Sequence, residues 1–366
     1  MGIIVDALKG ALAPTLAEMK SKELQAGVAR KTPAIRQNDY DVARKSMLGE
    51  FSSEPISACQ QCLANAKAAR RQERLDLVNR AIVTCPEHAA EATRLRQDMD
   101  EVENMRCAKH VYLANDPNAP PELRENPPPG FLKPTREDLK GMGLNDKMLN
   151  PKDSAFRAAV YMKDPAVWGP DPEPKAVLAF RGSTPDKMDW DNNFAQDANR
   201  KAPYYRDAVQ IGNALAKKGA DAHIVGHSLG GGLASAAQGG SGLTASTYNA
   251  AGLHPETVKN YSEDDRHKAA EPDKITAIRL KGEVLTKTQE SGMTGLLANR
   301  AVGNKRDLDA SHDDAYFNRL KKDGKVDAKD DYETYLHGMD EVIDSTEKQK
   351  SADEAVLREC LAKGAP

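Results

Sequence analysis

The chain of 366 residues has no apolar run approaching the roughly 18 to 20 residues that a bilayer-spanning helix needs, so no membrane span is predicted. It also lacks an excess of either charge. Lys and Arg number 52 against 55 Asp and Glu, giving a net charge of -3 and a pI near 6.3. The two signs are interspersed, which removes the electrostatic footprint of a nucleic-acid binder. Residues 1–20 show no charged n-region, so a cleavable secretory signal is not expected. Internal repeats and low-complexity tracts are missing too, which excludes a solenoid.

Apolar residues at 39%, charged residues at 29%, 26 Gly and 21 Pro describe a globular chain with enough apolar surface for a packed core. The length exceeds what one core usually organises, so a large domain plus an appendage is expected. Residues 1–115 read as a helical N-terminal extension. Its opening is apolar at helical spacing, and a helical hairpin spans about 55–110, broken where Thr84-Cys85-Pro86 combines a cap with a proline. Residues 116–134 carry Pro120-Pro121 and Pro127-Pro128-Pro129-Gly130, which suit neither a helix nor a central strand and read as a linker. From 135 to 366, short β-like runs at 156–162, 176–180, 222–225, 245–248 and 275–280 alternate with helical segments, the pattern of an α/β fold around a mostly parallel sheet. A charged helix over 338–363 is expected to lay one face on that sheet.

The densest chemical signal is AHIVGHSLGGGLA at 222–234, an apolar strand running through G-x-S-x-G into a helix of small residues. It reads as a nucleophile elbow with Ser228 at its apex, and hence as an α/β-hydrolase. The flanking glycines allow a turn too tight for a Cβ. The helix starting at the serine turns its unpaired N–H groups toward the place where an oxyanion would form, so the amide of Leu229 is the first candidate donor.

Upstream, Phe180-Arg181-Gly182-Ser183 closes another strand and is followed by Asp189-Trp190 and Asn192-Asn193. FRGS and GHSLGGGLA in this order resemble the class 3 lipases, which include fungal triacylglycerol lipases and bacterial phospholipase-type proteins. The resemblance covers roughly 155–348. It implies that Ser183 supplies the second oxyanion-hole donor and that about 185–199 forms a lid anchored by Trp190 and Phe194. The Asp and Asn content of that segment argues against a strongly hydrophobic lid.

Hydrolases of this class place acid and base after the serine, in the order Ser, Asp or Glu, His. Glu283 follows the strand-like 275–280 at the C-terminal sheet edge, where the active sites of such sheets collect. In similar lipases this position is usually Asp in a GDPV-like turn, whereas here it is Glu in Gly282-Glu283-Val284-Leu285; Asp307 and Asp309 are the alternatives. His337, just before the last helix, is the preferred base over His312, while His267 reads as a surface residue and His227 as pointing elsewhere. Catalysis by these groups requires no metal or organic cofactor.

Five cysteines include Cys59, Cys62, Cys85 and Cys107 in the helical segment. Folding the hairpin brings Cys59 and Cys62 toward Cys107 and His110, which leaves open a disulfide from Cys107 to one of the first two, free thiols, or a structural zinc held by Cys59, Cys62, Cys107 and His110. The expected activity is that of a serine hydrolase on lipid esters at a membrane surface. An esterase or thioesterase on another acyl substrate and an inert hydrolase-fold binding protein are the alternatives. Similarity to bacterial lipase effectors implies secretion without a cleavable signal, action in a target cell, a secretion-machine component and an immunity protein as partners; otherwise the chain stays cytoplasmic.

Overall fold

The computed structural model describes residues 33–53, 60–183, 202–263, 265–290 and 300–363. The expected lid, with Trp190 and Phe194, and Cys59 lie outside the described residues. Among the described residues three long helices come first: α1 (Pro33–Leu48), α2 (Gln60–Thr84) and α3 (Ala89–Leu113). The sheet strands are β1 (Phe131–Leu132), β2 (Ala158–Lys163), β3 (Ala176–Phe180), β4 (Ala222–His227), β5 (Ala245–Tyr248), β6 (Ile275–Leu280) and β7 (Asn304–Leu308). Between and after them run α4 (Pro203–Lys218), α5 (Leu229–Ser241), α6 (Val284–Glu290), α7 (Tyr332–His337) and α8 (Met339–Lys363).

The seven strands lie side by side in sequence order. β1, β2 and β3 pair antiparallel, and from β3 to β7 every pairing is parallel. A sheet covered on both faces needs apolar residues pointing both ways, and all five residues of β3 are buried. Leu178 and Phe180 face a core with Ile224 and the α4 and α5 residues Tyr204, Ile211, Leu215 and Leu233. Val177 and Ala179 face the other core, with Val225, Tyr248 and Ile278. All thirteen residues of α5 are buried, because that helix is wedged between sheet and α4; Gly, Ala and Ser at its contacts let the backbones approach.

The second core corrects the expected domain division. Val102, Met105, Ala108 and Val111 of α3 pack in one cluster with Tyr161, Val177, Val225 and Tyr248 of the sheet. The proline-dense run therefore does not separate two cores, and β1 falls inside it, paired with β2. α3 is the covering layer of one face of the sheet. Residues at its 3.6-residue spacing found their partners only in strands far ahead in the chain.

The first half of α8 meets the sheet as expected, with Met339, Val342 and Ile343 in the same cluster. Its second half instead leaves the sheet for the hairpin, where Leu357 joins Leu77, Val78, Ala81, Leu95 and Met99. Ion pairs tie it there: Arg70 and Arg74 to Glu354, Arg94 to Asp353, and Arg106 to Glu347.

This path decides the disulfide. Cys85 at the hairpin tip is bonded to Cys360 near the end of α8, across 275 residues of sequence. The pairing of Cys107 with Cys59 or Cys62 is thus not the one formed: Cys107 is a buried thiol and Cys62 is exposed. Nor is the zinc site assembled, since among the described residues the ligand atoms of Cys62, Cys107 and His110 are not gathered, and His110 Nδ1 lies 2.9 Å from Tyr161 Oη. A cross-link closing so long a loop removes many unfolded conformations, a stabilisation of about 5.6 kcal/mol on chain-entropy grounds.

Candidate active site

β4 ends at His227 and α5 begins at Leu229, so Ser228 alone turns the chain. Its backbone sits at φ 58° and ψ -126°, a conformation an L residue occupies only when its surroundings hold it there. Three contacts do so. Its N–H donates to the Tyr248 carbonyl at 3.1 Å, and its carbonyl accepts from Gly231 and Ala251, each at 2.9 Å. At Gly226 a Cβ would lie 2.0 Å from the Gly230 carbonyl oxygen, which is why the strand can fold back on its helix only with glycine there. Ser228 itself is half-buried at the C-terminal edge of the sheet.

The register of β3 on β4 sets Phe180 opposite Gly226. Beyond it the Arg181–Gly182 backbone runs against Gly230, and Gly182 lies against the His227 carbonyl, so Ser183 follows directly on the segment packed at the elbow. Leu229, as the first residue of α5, has no intrahelical acceptor for its N–H. The two expected oxyanion donors thus flank the same strand ends.

Glu283 follows β6 and is wholly buried. Its Oε2 lies 2.8 Å from His337 Nδ1, and its carboxylate accepts the amides of Leu285 and Thr286, capping α6. Burial by itself would raise the carboxyl, but the His337 contact and the Thr286 and Leu285 donors hold it at about 2. A carboxylate only accepts, so His337 Nδ1 carries the proton and Nε2 is left as the acceptor, the tautomer a general base needs.

The alternatives are engaged elsewhere. Asp307 pairs with Arg279, Asp309 with Lys281, and His312 places Nδ1 2.7 Å from Glu341 while stacking on Tyr316. His337 lies instead beside the nucleophile's own neighbour, its ring 4.9 Å from that of His227.

His227 does not point away idly. Its Nε2 is 2.7 Å from the His337 carbonyl and its Nδ1 3.0 Å from Tyr112 Oη. Asn249, just past β5, donates to the carbonyls of Leu336 and His337, each at 3.1 Å, and accepts from Leu280 N at 2.9 Å. Tyr112 and Asn249 escaped sequence reasoning: the first lies 115 residues from its partner, and the second has no motif around it.

Burial, aided by the adjacent His337 imidazole, lowers His227 to about 3, and burial lowers His110 to about 4. Burial likewise lowers His223 to about 4, and an unfolded histidine titrates near 6.5, so from about pH 6.5 down to 4 these three groups bind about three more protons in the unfolded chain than in the folded one. Stability is fully present above that window and falls within it by about 4 kcal/mol per pH unit at the steepest. Denaturant unfolding at pH 7, 6 and 5 measures this; a flat free energy across that range contradicts the buried neutral state.

Parallel strands delivering a strained serine and a histidine–carboxylate pair to one edge of the sheet define a hydrolase of the α/β class. Within that class the chain belongs to the Tle-like phospholipase domain family, whose model matches residues 103–319. It is also 31% identical over 246 residues to the extracellular phospholipase A1 of Serratia liquefaciens, covering 66% of this chain and 69% of that one. The protein is a lipid ester hydrolase with lipase or phospholipase activity. The family match begins inside α3, in keeping with that helix's place in the sheet core, and ends before His337.

Proposed function

We propose that this protein is a phospholipase A that cleaves acyl esters of membrane phospholipids through an acyl-enzyme on Ser228. His337 Nε2 takes the serine proton as Oγ attacks the ester carbonyl, and Glu283 holds the imidazole and offsets the charge it gains. The N–H groups of Leu229 and Ser183 receive the oxyanion. His337 then protonates the leaving lysolipid oxygen, and water, deprotonated by the same histidine, releases the fatty acid.

The observation that carries the reading is the Glu283–His337 hydrogen bond, formed beside the residue that precedes the strained Ser228. The name of the Serratia liquefaciens relative supports the sn-1 ester as the bond cut and an extracellular site of action. Export from the producing cell, action in a target cell and neutralisation by an immunity protein belong to the same proposal. Among the described residues no helix is long and apolar enough to cross a membrane, so contact with lipid would be made from the surface.

Phosphatidylcholine vesicles carrying distinguishable sn-1 and sn-2 chains test the reaction. The sn-1 fatty acid and the matching lysolipid are expected to appear in equal amounts. Release of phosphocholine or phosphatidic acid, or hydrolysis confined to water-soluble short-chain esters and thioesters, would overturn the assignment.

A further inference from the structure

We infer that Tyr112 and His227 are positioning residues that hold the catalytic base through its backbone, by a hydrogen-bond relay running from helix α3 across the end of β4 to the carbonyl of His337. The inference rests on the reading of His337 as the base.

The direction of the relay follows from the atoms. A carbonyl oxygen only accepts, so the 2.7 Å contact at the His337 carbonyl puts a proton on His227 Nε2. A neutral imidazole then has a lone pair at Nδ1, and the Tyr112 hydroxyl, 3.0 Å away, donates to it. Both bonds run the same way, from tyrosine to histidine to carbonyl. With the second ring nitrogen committed in this way, His227 cannot itself serve as the base for Ser228.

The carbonyl needs such a donor. His337 is the last residue of α7, and the final carbonyls of a helix have no intrahelical partner. Asn249 supplies one donor to the His337 carbonyl and His227 the other. Asn249 also receives the Leu280 amide, at the end of the strand that leads to Glu283. The base is thereby tied through its backbone to β4 and β5, and through its ring to the turn after β6.

The Tyr112 hydroxyl has a second neighbour. A Cβ added at Gly182 would lie 1.9 Å from its oxygen, so that hydroxyl lies against the segment entering Ser183. One side chain from α3 therefore bounds both the support of the base and the approach to the oxyanion donors. A misplacement of about 1 Å in a reacting group costs on the order of 100-fold in rate, so a relay that sets this geometry should be read in kcat rather than in substrate binding.

The test uses the full chain and dispersed phosphatidylcholine, with Tyr112→Phe, His227→Leu and His227→Gln. Gln keeps an amide donor near the place of the imidazole Nε2, while Leu fills the space without one. Tyr112→Phe is expected to lower kcat about tenfold and His227→Leu about 100-fold, both with KM unchanged, and His227→Gln to recover most of the latter loss. Labelling of Ser228 by a fluorophosphonate should slow in the same order, at melting temperatures matched among the three.

Wild-type kcat in Tyr112→Phe and His227→Leu, or His227→Gln as slow as His227→Leu at the same melting temperature, overturns the relay while normal wild-type labelling leaves the triad standing. Failure of the wild-type protein to label at Ser228 overturns both.

Discussion

Replacing Ser228→Ala is expected to lower kcat for phospholipid hydrolysis by about 10⁶-fold, with the fold and vesicle binding retained. The substitution removes only the hydroxyl, and the turn is held by backbone contacts to Tyr248, Gly231 and Ala251 that alanine preserves. The remaining rate should still exceed the uncatalysed one by about 10³ to 10⁴, because the proposed donors at Leu229 and Ser183 are untouched by the substitution. Fluorophosphonate labelling should vanish with the activity. A Ser228→Ala protein that releases fatty acid within tenfold of the wild-type rate would mean that another nucleophile does the chemistry.

Glu283→Gln is expected to cost about 10⁴-fold in kcat. The amide occupies nearly the same volume but can donate as well as accept. It no longer commits His337 Nδ1 to carrying the proton, nor does it offset the imidazolium. Non-additivity sharpens the result: residues that act as a unit lose activity non-additively, so on the proposed triad Ser228→Ala/Glu283→Gln should be no slower than Ser228→Ala alone.

The same carboxylate contributes to stability. Its folded pKa of about 2 lies below the ordinary 4.5, so its contribution is complete above pH 4.5 and disappears as the pH falls toward 2. The acid limb of unfolding between pH 4.5 and 2 should therefore be shallower in Glu283→Gln, as acid titrations of the two proteins will show. A loss of activity below tenfold would indicate that Glu283 serves only as the cap of α6.

How much of this was legible depended on the distance between partners. The strands at 176–180, 245–248 and 275–280 were readable because apolar runs bounded by turn residues report burial locally. β7 was not: Asn304–Leu308 is mostly polar, and its edge position is set by pairing with β6 rather than by its own composition. β1 was hidden in the proline-dense run for a similar reason, being two residues long and defined by its partner. The elbow could be read almost atom by atom, since strand, turn and helix are adjacent in the chain.

Glu283 and His337 could be narrowed to a few candidates by chain order, and only their approach across 54 residues distinguished them from Asp307 and His312. The cysteines show the opposite case. A hairpin considered alone brings Cys107 toward Cys59 and Cys62, but the partner of Cys85 arrives from the far end of the chain on α8.

Local sequence was sufficient for Ser228, its glycines and the small-residue helix behind it, because the steric demands of a one-residue turn fall on the residues that make it. Everything that aims the chemistry was decided by tertiary structure: α3 closing the sheet and bringing Tyr112 to His227, α8 crossing to the hairpin, Asn249 holding the end of α7. Those contacts link residues from about 90 to 275 positions apart, and hydrophobic periodicity says that a face will be buried without saying against what.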